Sequence, residues 1–174
     1  NKTMQTADLT FAPGVKLVNA DKSQTISFSL KDTTGKEIIH QYTIRPENYM
    51  LDFSIILNGA DKLVTQHSMN LLWQNEVSRI EKDMTYEMQQ TEICYLKEDN
   101  YDFERLGTGS EIKFDKPIGW LAIKQQFFMS ALINTGKFKI ADINWTVTDT
   151  NTHALARAVA NLNVQVPAGQ NAQV

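Results

Sequence analysis

Residues 25–30 read Thr-Ile-Ser-Phe-Ser-Leu, an alternation that places Ile26, Phe28 and Leu30 on one face of an extended chain. This period of two recurs along the sequence and constrains the fold more than any other feature. Lys31-Asp-Thr-Thr-Gly-Lys36 supplies turn formers and a glycine tolerant of positive φ, and residues 37–44 resume a β-rich run, so a hairpin is expected. Arg45-Pro-Glu-Asn48 breaks that run, residues 49–57 form a third strand, and Asn58-Gly-Ala-Asp61 closes it. Residues 69–73 read as strand. Trp73, Val77, Ile80, Met84 and Met88 then recur at helical spacing, which predicts one amphipathic helix over 73–88. Alternation returns over 91–96, a polar, acidic loop spans 97–109, residues 111–114 form a strand, and Lys116-Pro-Ile-Gly119 makes a turn.

The densest apolar stretch, residues 120–133, suits two successive buried strands joined by a bend at Lys124-Gln-Gln126. Alternation continues over 137–140 and 143–147, whereas the alanines of 152–160 locally favour a helix, and 161–166 alternates again. The end, residues 168–174, is expected to fray. Many short strands with turns between them predict a mainly β, antiparallel sandwich with at most one or two short helices.

Hydrophobic residues at 42% against 21% charged provide enough apolar surface for a folded core, and 174 residues suit a single domain. A formal net charge of -3 lacks the positive field of a nucleic-acid binder, so no nucleic-acid partner is expected. No apolar stretch approaches the roughly 20 residues needed to span a bilayer, and residues 1–8 have neither the basic nor the apolar segment of a targeting signal. Cys94 is the only cysteine, which excludes an intrachain disulfide.

The run Gly119-Trp-Leu-Ala-Ile-Lys-Gln-Gln-Phe-Phe-Met-Ser-Ala-Leu-Ile133 resembles the signature of the large periplasmic domain of YidC-type membrane protein insertases, in its Bacteroidetes-like form. Tyr42-Thr-Ile44, Tyr49-Met-Leu-Asp-Phe53, Leu72-Trp73 and Ile93-Cys-Tyr95 follow the family's order, so the resemblance covers about residues 9–167. It implies an antiparallel β-supersandwich, galactose mutarotase-like, on the periplasmic side of the inner membrane. It further implies a truncated part of that domain, without the family's first strands and closing strands. Unpaired edges left by such truncation are expected to pair between copies. In that family the membrane-embedded part inserts and folds inner-membrane proteins, alone or with the Sec translocon. The periplasmic domain resembles an interaction or scaffold module linked to SecDF, so no catalysis and no cofactor are expected of this chain. Relatives have a variable strand, loop or short helix at the position of 74–88.

Within the signature, Trp120, Phe127 and Phe128 are expected to fill the core at roughly four to one over a binding platform, since apolar runs of this density are usually buried. Lys124, Gln125 and Gln126 are read as fixing the bend, because polar groups inside such a run must find partners. His40, His67 and His153 are dispersed and read as structural. The competing reading is a carbohydrate-binding or sugar-active domain, with His40 or His67 as base and Glu37 or Asp52 as its carboxylate. Cys94 reads as a packed, inert thiol, Gly107-Thr-Gly-Ser110 as a plain loop, and the mixed charges of 76–87 as a solvated face. The acceptor tripeptides Asn144-Trp-Thr146 and Asn1-Lys-Thr3 are assigned no role.

Overall fold

The computed structural model describes residues 4–149 and 152–174. After a 3-10 turn at Thr6–Asp8 come β1 (Ala12–Pro13), β2 (Leu17–Val18), β3 (Gln24–Lys31), β4 (Glu37–Ile44), β5 (Leu51–Asn58), α1 (Ala60–Leu63) and β6 (Ser68–Ser78). They are followed by α2 (Met84–Gln90), β7 (Glu92–Lys97), β8 (Asn100–Arg105), β9 (Glu111–Phe114) and β10 (Ile118–Lys124). The chain then runs through β11 (Met129–Phe138), β12 (Ala141–Val147), β13 (Ala154–Gln165) and β14 (Asn171–Gln173). The mainly β, antiparallel architecture expected from the alternating pattern is present, with two short α-helices. The chain groups into two compact units, the residues up to Ser68 with Val166–Val174, and Met69–Gln165.

The first unit is one sheet ordered β1-β3-β4-β5-β14, with β2 also on β3. Its register sets Ile26 against Tyr42 against Phe53, and Phe28 against His40 against Ile55, so the alternation of β3 propagates into a shared apolar face. Asp32 forms the β3–β4 turn: its carboxylate accepts hydrogen bonds from the backbone N–H groups of Thr34 and Lys36 at 2.7 and 2.9 Å. Gly35 takes φ +89, which a side chain would oppose.

The second unit holds two four-stranded sheets, β11-β10-β7-β8 and β6-β13-β12-β9. Ile93, Leu121 and Ile123 from the first and Ile143, Ala156, Ala158 and Leu162 from the second are buried. Trp145 on β12 is also buried, and its indole N–H donates to the Leu106 carbonyl at 3.0 Å, so the ring's one polar group is satisfied. The Gly107-Thr-Gly-Ser110 loop closes over that ring, and a Cβ at Gly109 would stand 3.3 Å from it.

Five local expectations are corrected. The helix over 73–88 is instead β6 followed by α2, because Met69, Leu71, Trp73, Asn75 and Val77 also repeat with period two, forming the less exposed face of a strand whose backbone ladders onto β13. The helix begins only where Asp83 caps it, accepting the Tyr86 N–H at 3.0 Å. The alanine-rich 152–160 is β13 from Ala154 onward, where alternate small residues let the strand lie close under β11. Helix propensity gives way to the ladder. Part of the 97–109 loop is β8, and the tail expected to fray is pinned by β14 on β5, with Ala172 buried. The face of mixed charges over 76–87 is not wholly solvated either. Glu87 is 2% exposed and accepts the N–H groups of Ile80 and Glu81 at 2.9 and 3.2 Å, which fastens the turn before α2.

Candidate interaction surface

The stretch 119–133 becomes the β10–β11 hairpin, joined by a short bend rather than by a long loop. On β10, Leu121 and Ile123 point into the core while Trp120, Ala122 and Lys124 alternate to the other side of the sheet, where Trp120 is half-buried, Ala122 fully covered and Lys124 exposed. The bend is fastened by Gln125. Its N–H donates to the Phe128 carbonyl at 2.7 Å, and its side-chain amide donates to the Ser78 carbonyl of β6 at 2.8 Å. Lys124 pairs with Glu92 on β7 at 3.0 Å, and Gln126 is exposed.

The expectation that Phe127 and Phe128 fill the core is overturned: they are 67% and 63% exposed, and Met129 beside them 65%. Pairing starts at Lys124 opposite Met129, so Phe127 and Phe128 sit in the bend itself, beyond the last ladder pair. An apolar run therefore ends with three large side chains in solvent, a costly arrangement unless something else covers them. Beside them lies a groove of about 420 Å³, lined by Val77, Ser78 and Ile80 on one side and Ile123, Phe128 and Met129 on the other.

Trp120 is half-buried, not in the closed core. Its ring lies in a row on the outer face of the sheet, with Tyr101 at 6.0 Å and Tyr101 in turn 6.1 Å from Phe103. Beneath this row is Cys94, 2% exposed, whose sulfur accepts a hydrogen bond from the Tyr101 hydroxyl at 3.4 Å. Burial pushes the Cys94 thiol above its ordinary range, and that hydrogen bond pushes Tyr101 up to about 12. Both groups are held neutral at physiological pH, so the thiol is packed and unreactive.

The residues considered for sugar chemistry are not brought together. His40 stacks on Phe11 at 4.6 Å and meets Phe53 edge-on at 5.5 Å, and burial lowers its pKa, so it stays a neutral ring among rings. Glu37 accepts from the Asn58 amide at 3.0 Å, and Asp52 pairs with Arg45 at the other end of the hairpin. His67 lies in the turn before β6 at φ 50. Among the described residues no group of three His, Cys, Asp or Glu side chains is placed to hold a metal ion. Asn144 lies within β12 and Asn1–Thr3 lies outside the described residues.

Sequence reasoning missed the exposure of Phe127, Phe128 and Met129 because an apolar run records composition and not where the ladder stops. The Gln-Gln dipeptide at its centre was the available signal: it marks the bend.

Comparison with known proteins matches residues 2–174 to the family model described as the YidC periplasmic domain. Proteins named membrane protein insertase YidC are similar as well. The one from Phocaeicola vulgatus is 29% identical over 84% of this chain and 23% of its own length, and that from Parabacteroides distasonis is 25% identical over 83% and 23%. The Bacteroides fragilis protein is 29% identical over 78% of this chain and 22% of its own length. The chain thus spans about a quarter of the length of these relatives. Among the described residues no helix is long and apolar enough to cross a membrane.

Proposed function

Since this chain belongs to the YidC periplasmic domain family, we propose that it is a non-catalytic interaction and scaffold domain, held on the periplasmic side of the inner membrane by an insertase that inserts and folds membrane proteins. The observation that carries this reading is the β10–β11 bend. Phe127, Phe128 and Met129 are displayed to solvent by a hairpin whose turn is fastened at Gln125; β10 is buried, whereas β11, expected to be buried as well, is largely exposed up to Phe138. Large apolar side chains held rigidly outward lose little conformational freedom on contact, and such residues dominate protein interfaces. SecDF and the Sec translocon are the proposed partners, and nascent membrane proteins reach the domain through its parent. These assignments rest on the family resemblance.

Two experiments test the reading. In the full-length parent, a photo-crosslinker at Phe127 is expected to capture another protein, whereas one at buried Trp145 captures none; equal silence at both positions would count against it. Purified alone, the 174-residue chain is expected not to insert a membrane protein into liposomes, and insertion by it alone would refute the division of labour.

A further inference from the structure

The four edge strands of the second unit are not alike. β8 and β9 are six and four residues long and carry Asp102, Glu104 and Arg105, and Glu111 and Lys113, respectively. Short length and alternating charge are the usual protection against strand addition. β6 and β11 are eleven and ten residues long, contain no proline, and carry one charge each, Glu76 and the distal Lys137. The two unprotected edges border the same groove, in which Val77 and Ile123 form an apolar floor.

The backbone of β6 shows which groups are free to pair. The Val166 N–H donates to the His67 carbonyl at 2.8 Å, which starts an alternation in which odd-numbered residues of β6 pair with β13 and even-numbered ones turn their N–H and C=O groups away. Ser78 fits that set, since its carbonyl is taken by the Gln125 side chain rather than by β13. This bond closes one end of the open edge and leaves Leu72, Gln74 and Glu76 to offer main-chain donors and acceptors, Glu76 beside the groove and the other two on the strand leading up to it.

We infer that the β6 edge is an acceptor for an extended polypeptide segment, which adds as a fifth strand and lays alternate apolar side chains on Val77, Ile123 and Phe128. A row of main-chain groups at strand spacing beside an apolar floor is matched by another main chain, and neither a lipid tail nor a sugar reproduces that spacing. The near absence of charge on the edge selects an uncharged, alternating segment. This inference stands on the strand edges alone and does not depend on the insertase reading.

The test uses the 174-residue chain and a fluorescent, end-capped heptapeptide alternating valine and threonine, followed by anisotropy. Saturable binding is expected, weakened at least about tenfold by Gln74→Pro, which removes an outward N–H while sparing the β13 ladder. Gln74→Ala, which keeps the N–H, is expected to bind like the parent. Should Gln74→Pro fail to fold, the same peptide with N-methylated alternate amides decides the matter on the unaltered chain: it is expected not to bind. Equal binding of the N-methylated peptide would show capture by side chains alone and overturn the proposal. So would the absence of saturable binding, or concentration-dependent dimers that the peptide does not dissociate, which would make a second copy the occupant.

Discussion

The two units are written in the same alternating code and bury it differently. Among the described residues, the first unit contributes only Leu57, Ala60, Val166 and Ala172 to the buried apolar set, and β3, β4 and most of β5 are half-buried or exposed. The second unit sets two sheets together and buries Ile93, Leu121, Ile143, Leu155 and Leu162 to 0% exposure. A period of two specifies a strand and its apolar face, whereas closing that face takes a second layer. The energetic consequence is that equal substitutions should cost more in the second unit. Trp73, Trp120 and Trp145 all lie there, so tryptophan emission follows that unit and far-ultraviolet dichroism follows both.

The largest effect is expected from Ile143→Ala, which empties a fully buried site on β12 and should cost about 3 kcal/mol in urea unfolding followed by tryptophan emission. Next comes Glu87→Ala, which strands the N–H groups of Ile80 and Glu81; a loss of about 2 kcal/mol is expected by the same measurement. Phe28→Ala on the half-buried sheet should cost only about 1 kcal/mol by dichroism and leave the tryptophan transition in place. A cost equal to that of Ile143→Ala would erase the contrast between the units.

The smallest effect concerns pH. The Thr34 hydroxyl, with the Lys36 and Thr34 backbone N–H groups, holds the Asp32 carboxyl down from 3.8 to about 2. Its folded pKa is depressed, so its stabilising contribution is complete above about pH 4 and disappears as pH falls to about 2. His40 works in the same direction for a different reason. Burial lowers its pKa below 6.5, folding favours the neutral ring, and the first unit should weaken as pH drops below that value. Dichroism-monitored melts from pH 7 to pH 2 should show both losses, with Asp32→Asn reducing the lower one, to which Asp21, lowered by its hydrogen bonds from Ser23, also contributes.

Much of the fold was legible in the sequence where pattern and context agree. The Ile26, Phe28 and Leu30 alternation and the Asp32-to-Gly35 turn gave the first hairpin, because register and turn chemistry are local. Two misreadings arose where a segment satisfies two periods. Trp73 and Val77 fit a helix and a strand alike, and Ala154, Ala156, Ala158 and Ala160 look helical until the neighbouring β11 demands small side chains. The exposed bend was hidden for a related reason: Phe127 and Phe128 continue the apolar run of β10, but the ladder ends at Lys124 opposite Met129. Non-local pairing decides such cases, and single-sequence patterns do not carry it.

The central claim is that the bend displays its aromatic side chains instead of packing them, and a thermal melt of the Phe127→Ser/Phe128→Ser double variant tests it most directly. With both rings more than 60% exposed, the midpoint is predicted to stay within about 2 °C of the parent, as surface substitutions do. A drop of about 10 °C or more, the signature of core loss, would contradict it.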